Sequence, residues 1–395
     1  MTWKQVSGPT ARCCRALWQA GFEAYPVGGC VRDMLLGRVP GDWDVTTSAL
    51  PEQVTGLFDH VVQTGVKHGT VTVILEDEHI EVTTFRGESG YSDGRHPDMV
   101  RFDATLEQDL ARRDFTINAM ALAPDGTVID LFGGMADLKG KVIRCVGRPE
   151  QRFGEDGLRM FRAVRFAAQL DFDLEWETKR AIQTCAPHAR NIAAERVRVE
   201  LEKTLCASRA DMAWSFFDLG LMKRWAVGVP NPPLGLERLP GEPLLRWAGL
   251  CARMMAEACI DGVGAFLRAL KLDGATIRAS EAGWELFRTG LPETDSGWRR
   301  ALARYETDGC RAAAAMAQAQ GEKDVLARLE QVLEQNPCVR VEQLALSGGE
   351  LFAMGLRGAQ IGAAQRYLLE HVLAHPEDNR VEILRRKVKD FSERR

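Results

Sequence analysis

Two aspartates, Asp42 and Asp44, stand two residues apart in the stretch GDWDVTT. On a strand, alternate residues share a face, so the two carboxylates would lie side by side. Like charges held so close repel unless a cation sits between them. Hard oxygen ligands of this kind suit Mg²⁺, which also takes phosphate oxygens. A metal held there can activate an attacking hydroxyl and neutralise a leaving pyrophosphate. Upstream, Gly28 and Gly29 let the backbone come close to a triphosphate, and Arg32 can grip its oxygens. Taken singly, an Asp-x-Asp is common on solvated turns and a Gly-Gly pair is common anywhere. The specific signal is their order: Gly-Gly, an arginine three residues on, then Asp-x-Asp.

Two later stretches carry further polar groups in patterns that fit a nucleotide. In DLARRDFTINAMAL (109–122), Arg112, Arg113 and Asp114 stand at the expected entry to a helix. A carboxylate there can accept from a ribose 2′-hydroxyl while an arginine binds phosphate bidentately. The same aspartate would also serve as an ordinary helix-start residue. In RFGEDGLRMFRAVRFAAQL (152–170), Glu155, Asp156 and Arg159 are expected on one helix, with Asp156 and Arg159 on a shared face. An ionised aspartate only accepts hydrogen bonds and an arginine only donates them. Cytosine and adenine each offer an amino donor beside a ring-nitrogen acceptor, whereas guanine and uracil present the reverse order. The pair therefore fits C and A and leaves unpaired groups against G and U, a strong basis for rejection. The alternative is an intrahelical ion pair worth ~0.2–0.5 kcal/mol. Arg162 and Arg165 continue at steps of three as a cationic stripe.

The elements that must position these residues form an α+β arrangement. A helix over about 9–20 leads to a strand at Ala24–Val27, a Gly-Gly turn, a helix, and the short strand that carries the acids. VVQTGVKHGTVTVILEDEHIEVTTFR alternates apolar and polar residues and predicts two or three antiparallel strands. GESGYSDGRHPD reads as a polar, mobile loop, and residues 117–131 as a helix end and two strands around an Asp-Gly turn. From about residue 150, strand signals nearly vanish and helical periodicity runs to the end. Pro/Gly-rich stretches at 228–243 and 291–297 divide this helical part.

Composition is that of a globular protein: 395 residues, 45% hydrophobic, 27% charged, net charge −4. Any polyanion must then be met by positive charge gathered locally. The ten cysteines include no CxxC pair, which predicts reduced thiols in a cytoplasmic protein, not a zinc site or a disulfide framework. The first residues lack a signal-type apolar core, and no run approaches 18 apolar residues, so no membrane span is expected. His371 and His375 have helical spacing but no third ligand, and read as surface histidines.

The ordered blocks resemble the class II tRNA nucleotidyltransferases and bacterial poly(A) polymerases of the polymerase β superfamily. The resemblance is strong over residues 20–205 and moderate over 340–388. It implies a nucleotidyltransferase head (1–147), a helical neck that selects nucleotides (148–207), a body (208–295) and a tail that binds tRNA (296–395). It implies that Asp42 and Asp44 hold the catalytic metals, with Glu81 in IEVTTFR as the candidate third acid. Arg113 and Asp114 match a motif that selects ribonucleotides. Glu155, Asp156 and Arg159 match the template residues, and Arg162 and Arg165 the contacts to the triphosphate. DLFGGMADLKGKVIRCVG (130–147) matches a hinge between head and neck. In AAERVRVELEKTL (193–205), Glu195, Arg196, Arg198 and Glu200 match residues that brace the neck. RGAQIG could offer a helix N-terminus to a backbone phosphate, and the basic run RRKVKDFSERR, with six cations against two acids, reads equally as a phosphate-binding patch or as a solvated helix end.

The function so implied is CTP(ATP):tRNA nucleotidyltransferase, which builds the 3′ CCA end without a nucleic-acid template. Its partners are tRNA, CTP and ATP, with neither DNA nor membrane. Relatives that add only the two cytidines lack much of the loop at 90–102, which this chain keeps, with Asp93 and Arg95. An A-adding enzyme working beside a separate CC-adding one remains compatible, as does, more remotely, a poly(A) polymerase. An idle RNA-binding protein would have no need of the intact acids and arginines.

Overall fold

The computed structural model of the chain describes residues 3–65, 69–90, 99–228 and 235–393. It divides into two compact units, Met1–Arg224 and Trp225–Arg395. The first unit opens with helix α1 (Gly8–Gln19), whose start is fixed by Ser7 accepting from the Thr10 N–H at 3.1 Å. Then come β1 (Ala24–Pro26), α2 (Gly29–Leu35), β2 (Trp43–Thr47), α3 (Pro51–Leu57), β3 (Val61–Gly65), β4 (Thr70–Leu75) and β5 (Glu78–Thr84). The five strands form one sheet in the order β1-β2-β5-β4-β3. The meander β3–β5 is antiparallel, as alternation predicts, but β5 lies parallel to β2. Val45, Ile80 and Val82 turn to one face of the sheet and form a core with Cys13, Cys14 and Leu17 of α1. Period-two alternation then sends Asp44 and Thr46 of β2, with Glu81 of β5, to the other face.

The expected loop at 87–98 has a strand at its base: β6 (Gly87–Ser89) pairs antiparallel with β7 (Met99–Arg101). Asp93 and Arg95 lie outside the described residues. Next are α4 (Leu106–Ala111), a single 3₁₀ turn at Thr116–Asn118, and β8 (Met120–Leu122) paired with β9 (Val128–Asp130) around an Asp-Gly turn. No long helix follows Asp114, so that residue is not a helix start. The stretch 130–147, expected as a flexible connector, contains α5 (Gly134–Gly140), capped by Asp130 accepting from the Gly134 and Met135 N–H groups. It ends in β10 (Val142–Ile143), followed by α6 (Pro149–Glu155) and α7 (Leu158–Leu170). Beyond residue 150 the described residues hold one strand, β11 (Asp173–Leu174), parallel to β10. Then come α8 (Trp176–Cys185), α9 (Ala194–Leu205) and α10 (Ser215–Asp218). Helix α7 packs on α9 and is almost wholly buried along Met160, Phe161, Val164 and Ala167.

The second unit is helical throughout its described residues. One core gathers Trp298, Leu302, Leu329 and Val332, and another Leu346, Leu351, Leu368 and Leu384. His371 is less exposed than expected, because its ring is bonded to Asp378 at 2.7 Å. Among the described residues no helix is long and apolar enough to cross a membrane. Nine of the ten cysteines are buried, and Cys206 is exposed.

Candidate active site

The site is built within the first unit from four stretches of chain. The turn between β1 and α2 comes first. Gly28 has φ +80°, the left-handed side that glycine alone takes without strain. A Cβ placed there would lie 3.0 Å from Arg113 Nη1 and 3.9 Å from Asp44 Oδ2. Gly28 therefore leaves open the space between a cation and a carboxylate. Gly28→Ala should cost about 1–2 kcal/mol of stability and lower kcat/KM for a nucleotide at least about tenfold by displacing Arg113. Melting curves and initial rates check both. One turn into α2, Arg32 is buried and donates to Asn118 Oδ1 at 2.7 Å and to Asp33 at 2.9 Å.

The carboxylates come second. Asp44 is on β2, and Asp42 is exposed one residue before the strand begins, a shorter strand than the sequence predicts. Glu81 lies directly opposite Asp44 in the parallel register of β5 and is exposed. Burial pushes the Asp44 carboxyl up to about 6; Arg113 opposes this, while the charges of Glu81 and Asp42 add to it. A carboxylate so raised is one that a cation would relieve. Among the described residues no three His, Cys, Asp or Glu side chains form a ready metal cage. Two oxygen donors short of a full shell suit a cation that completes it with water and substrate phosphates. Proton and cation compete for the ionised form. At low metal the rate should therefore rise through about pH 6, and the rise should move to lower pH as metal is added. Rate profiles at two metal concentrations test this; coincident profiles would contradict it.

The third stretch surrounds Asp109, a residue the sequence reading passed over. Its carboxylate is fully buried at the end of α4. It accepts from Arg112 at 2.6 and 3.0 Å, from Arg113 Nη2 at 3.1 Å, and from Thr46 Oγ1 of β2 at 3.1 Å. Burial alone would raise its pKa, but the two guanidiniums hold it below the usual range. Asp114 accepts from the Phe115 N–H, from Asn118 Nδ2 at 3.3 Å, and from Arg162 at 2.6 and 2.7 Å. Burial works against ionisation here too, yet Arg162 brings its pKa down to about 2. Asn118 thus links Arg32 to Asp114. It lies four residues after Asp114 in the motif, and only the fold shows that both ends of its amide are used.

The fourth stretch corrects an expectation. Glu155, Asp156 and Arg159 are not on one helix. Helix α6 ends at Glu155, Asp156 takes an extended backbone (φ −143°, ψ +106°), and α7 begins after Gly157. The break is built by the aspartate, whose Oδ1 accepts from the Leu158 N–H at 3.0 Å and so caps the new helix. Its Oδ2 accepts from Arg196 of α9 at 2.8 Å and not from Arg159. Arg159 instead pairs with Glu155 at 2.5 Å and donates to the carbonyls of Arg112 and Arg152. Asp156 and Arg159 are thus held separately, each by its own partner.

Gly28, Gly29, Arg32 and Asp44, with Arg113 and Asp114, open onto one cleft of about 450 Å³. Asp156, Arg159 and Arg162 line it as well. Of the residues proposed for contact, Arg165 is not on its wall: the guanidinium is bonded to Glu200 at 2.5 Å and lies 4.0 Å from the Phe166 ring. Asp42, Glu81 and Glu155 are also off the wall. Arg196, expected only to brace the neck, is on it. Phe166 is on it too, with Arg32 and Arg162 each 5.4 Å from its ring centre. The wall holds six arginines and three aspartates, in a chain whose net charge is −4. Positive charge is therefore concentrated at this cleft.

The Poly A polymerase head domain matches residues 24–144, and the family described as the probable RNA and SrmB-binding site of polymerase A matches residues 171–224. The chain is 38% identical to a CCA-adding enzyme of Leuconostoc mesenteroides over 86% of its own length and 85% of that protein's. It is likewise 38% identical to a CCA-adding enzyme of Levilactobacillus brevis, covering 87% of this chain and 88% of the other. Among solved structures it is similar to the Bacillus stearothermophilus CCA-adding enzyme in complex with CTP. That likeness has a TM-score of 0.81 and 30% identity, and covers 98% of this chain and 100% of that one. Blocks, cleft and relatives agree, and the chain belongs to the CCA-adding enzymes, class II tRNA nucleotidyltransferases of the polymerase β superfamily.

Proposed function

We propose that this chain adds or repairs the 3′-terminal CCA of tRNA, taking CTP and ATP in turn at the single cleft described above. The observation that carries the reading is the convergence of six arginines and three aspartates from distant stretches on one wall of an otherwise acidic chain. The tRNA 3′-hydroxyl attacks the α-phosphorus, and pyrophosphate leaves. Asp42 and Asp44 are the residues that would hold a divalent cation, and their oxygens favour Mg²⁺. When bound, the cation lowers the pKa of the attacking hydroxyl and offsets charge on the phosphates. Glu81 adds negative charge beside Asp44.

Around that centre the chain's own residues bind and orient. The Gly28–Gly29 turn admits the triphosphate, and Arg32, Arg113 and Arg162 hold its oxygens. Arg165 joins them only by leaving Glu200. Asp114 reads the ribose. Four donors already fill its oxygens, so a 2′-hydroxyl takes the place of Arg162, the most exposed of them. Asp156 and Arg159 present an acceptor and a donor to the base, steadied by Arg196 and Glu155. In this reading residues 1–147 are the catalytic head, 148–207 the selecting neck, and 208–295 and 296–395 the body and tail that hold tRNA. Ten cysteines without a CxxC pair, nine of them buried, favour a cytoplasmic protein.

The direct test incubates the protein and Mg²⁺ with tRNA lacking its last three nucleotides. Addition of two C from CTP alone, and of CCA from CTP with ATP, is the expected result. No incorporation of CTP, with ATP added only to tRNA already ending in CC, would mark an A-adding enzyme. Long A tails on unrelated RNA would mark a poly(A) polymerase.

A further inference from the structure

The structure assigns Asp109 a role that its place in a helical ion-pair pattern does not suggest. We propose that it is a positioning residue that holds Arg113 away from Asp44 and so keeps the metal-binding carboxylate free. The inference rests on the site reading above.

Arg113 stands between two carboxylates. Its Nη2 is bonded to Asp109 Oδ2 at 3.1 Å. Its Nη1 and Asp44 Oδ2 are 3.0 and 3.9 Å from the same point, the Cβ position that Gly28 lacks. Arg113 is among the charges acting on Asp44, but the two form no ion pair within 4 Å. Asp109 is suited to win the contest because its own position is fixed. It is wholly buried, it is held by Arg112 on its other oxygen, and it accepts from Thr46, two residues along β2 from Asp44. That last bond ties the anchor to the strand that carries the catalytic acid, so the gap between anchor and acid is set by one strand. Without the anchor's charge, Arg113 is free to turn toward Asp44, whose Oδ2 borders the same gap. An arginine closing on that carboxylate would neutralise it and compete with a cation for its oxygens.

The test is Mn²⁺ binding to the nucleotide-free protein, read by electron paramagnetic resonance, for wild type, Asp109→Asn, Arg113→Gln and the double variant. A competing cation in contact with a carboxylate shifts its affinity by a factor of about ten or more. Asp109→Asn should therefore bind Mn²⁺ about tenfold more weakly, and the metal concentration for half-maximal rate should rise with it. KM for CTP should rise as well, because Arg113 no longer faces the phosphates. Adding Arg113→Gln to Asp109→Asn should restore Mn²⁺ binding, which a merely structural role for Asp109 would not permit. Wild-type Mn²⁺ affinity in a folded Asp109→Asn protein overturns the proposal, as does a double variant that binds as weakly as the single one. If Asp109→Asn does not fold, Asp109→Glu keeps the charge but moves it by one methylene. A loss reversed by Arg113→Gln then supports the proposal, and unchanged Mn²⁺ binding with unchanged KM overturns it. The site reading fails separately if Asp44→Asn binds Mn²⁺ as wild type does.

Discussion

Asp44→Asn should lower the rate of nucleotide addition by about 10³-fold or more and, in the same protein, raise the melting temperature without metal. Both effects have one source. Asp44 is largely buried on β2, beside Glu81 and near Asp42, and its carboxyl is pushed from 3.8 to about 6. A folded-state pKa above the unfolded one means that the native state binds the proton more tightly. Stability is then lost as pH rises through that interval, and the ionised group costs the apo fold on the order of 1–3 kcal/mol at neutral pH. The neutral amide removes that cost and with it the ligand for the cation. Asp42→Asn should share the loss of rate but not the gain in stability, because Asp42 is exposed. Adding Mg²⁺ should stabilise the wild type and leave Asp44→Asn nearly unmoved. Calorimetric melting with and without Mg²⁺, beside single-turnover rates, checks the whole set. An Asp44→Asn enzyme that keeps full activity would overturn the metal assignment. A lower melting temperature without metal would overturn the account of its surroundings.

The second large effect concerns the base. Asp156→Ala and Arg159→Ala should each reduce discrimination of CTP against UTP by roughly 10²-fold, chiefly by slowing C addition and admitting the wrong base. Because the two residues are held by different partners, they should fail differently. Glu155→Gln should loosen Arg159 alone, and Arg196→Gln should loosen Asp156 alone. Each second change should add little to loss of the residue it steadies, since both act through the same hydrogen bond to the base. Misincorporation of each nucleotide, scored separately on tRNA ending before and after the two C residues, measures this. Equal C-over-U ratios in wild type and variants would remove these residues from base selection.

The parts of the site set by local chemistry were legible from the sequence, and those set by tertiary approach were not. Gly28 could be picked out because a backbone turn of this kind needs glycine. Asp44 could be placed on a strand from its apolar and polar alternation, but the start of that strand one residue after Asp42 left no local mark. The parallel pairing of β5 with β2, which sets Glu81 opposite Asp44, has no local signal in a stretch that alternates as any antiparallel strand would. Helical periodicity runs through residues 150–170, so the break at Asp156–Gly157 was invisible. Only the aspartate's capping bond to Leu158 gives it away. Asp109 reads in sequence as an i, i+3 and i, i+4 partner of two arginines, and its third link, to Thr46, spans 63 residues. Arg196 is 40 residues from Asp156, too far for any spacing rule to join them. The resemblance names the residues of the cleft wall more readily than the residues that hold them.

If one cleft serves both nucleotides, each must exclude the other. The measurement is inhibition by CTP of ATP addition on a tRNA that already ends in CC. Strict competition is expected, with an inhibition constant for CTP close to its own dissociation constant at the same cleft, and loss of both ATP addition and CTP inhibition in Arg159→Ala. Non-competitive inhibition, or an Arg159→Ala protein that loses one nucleotide and keeps the other, would contradict it.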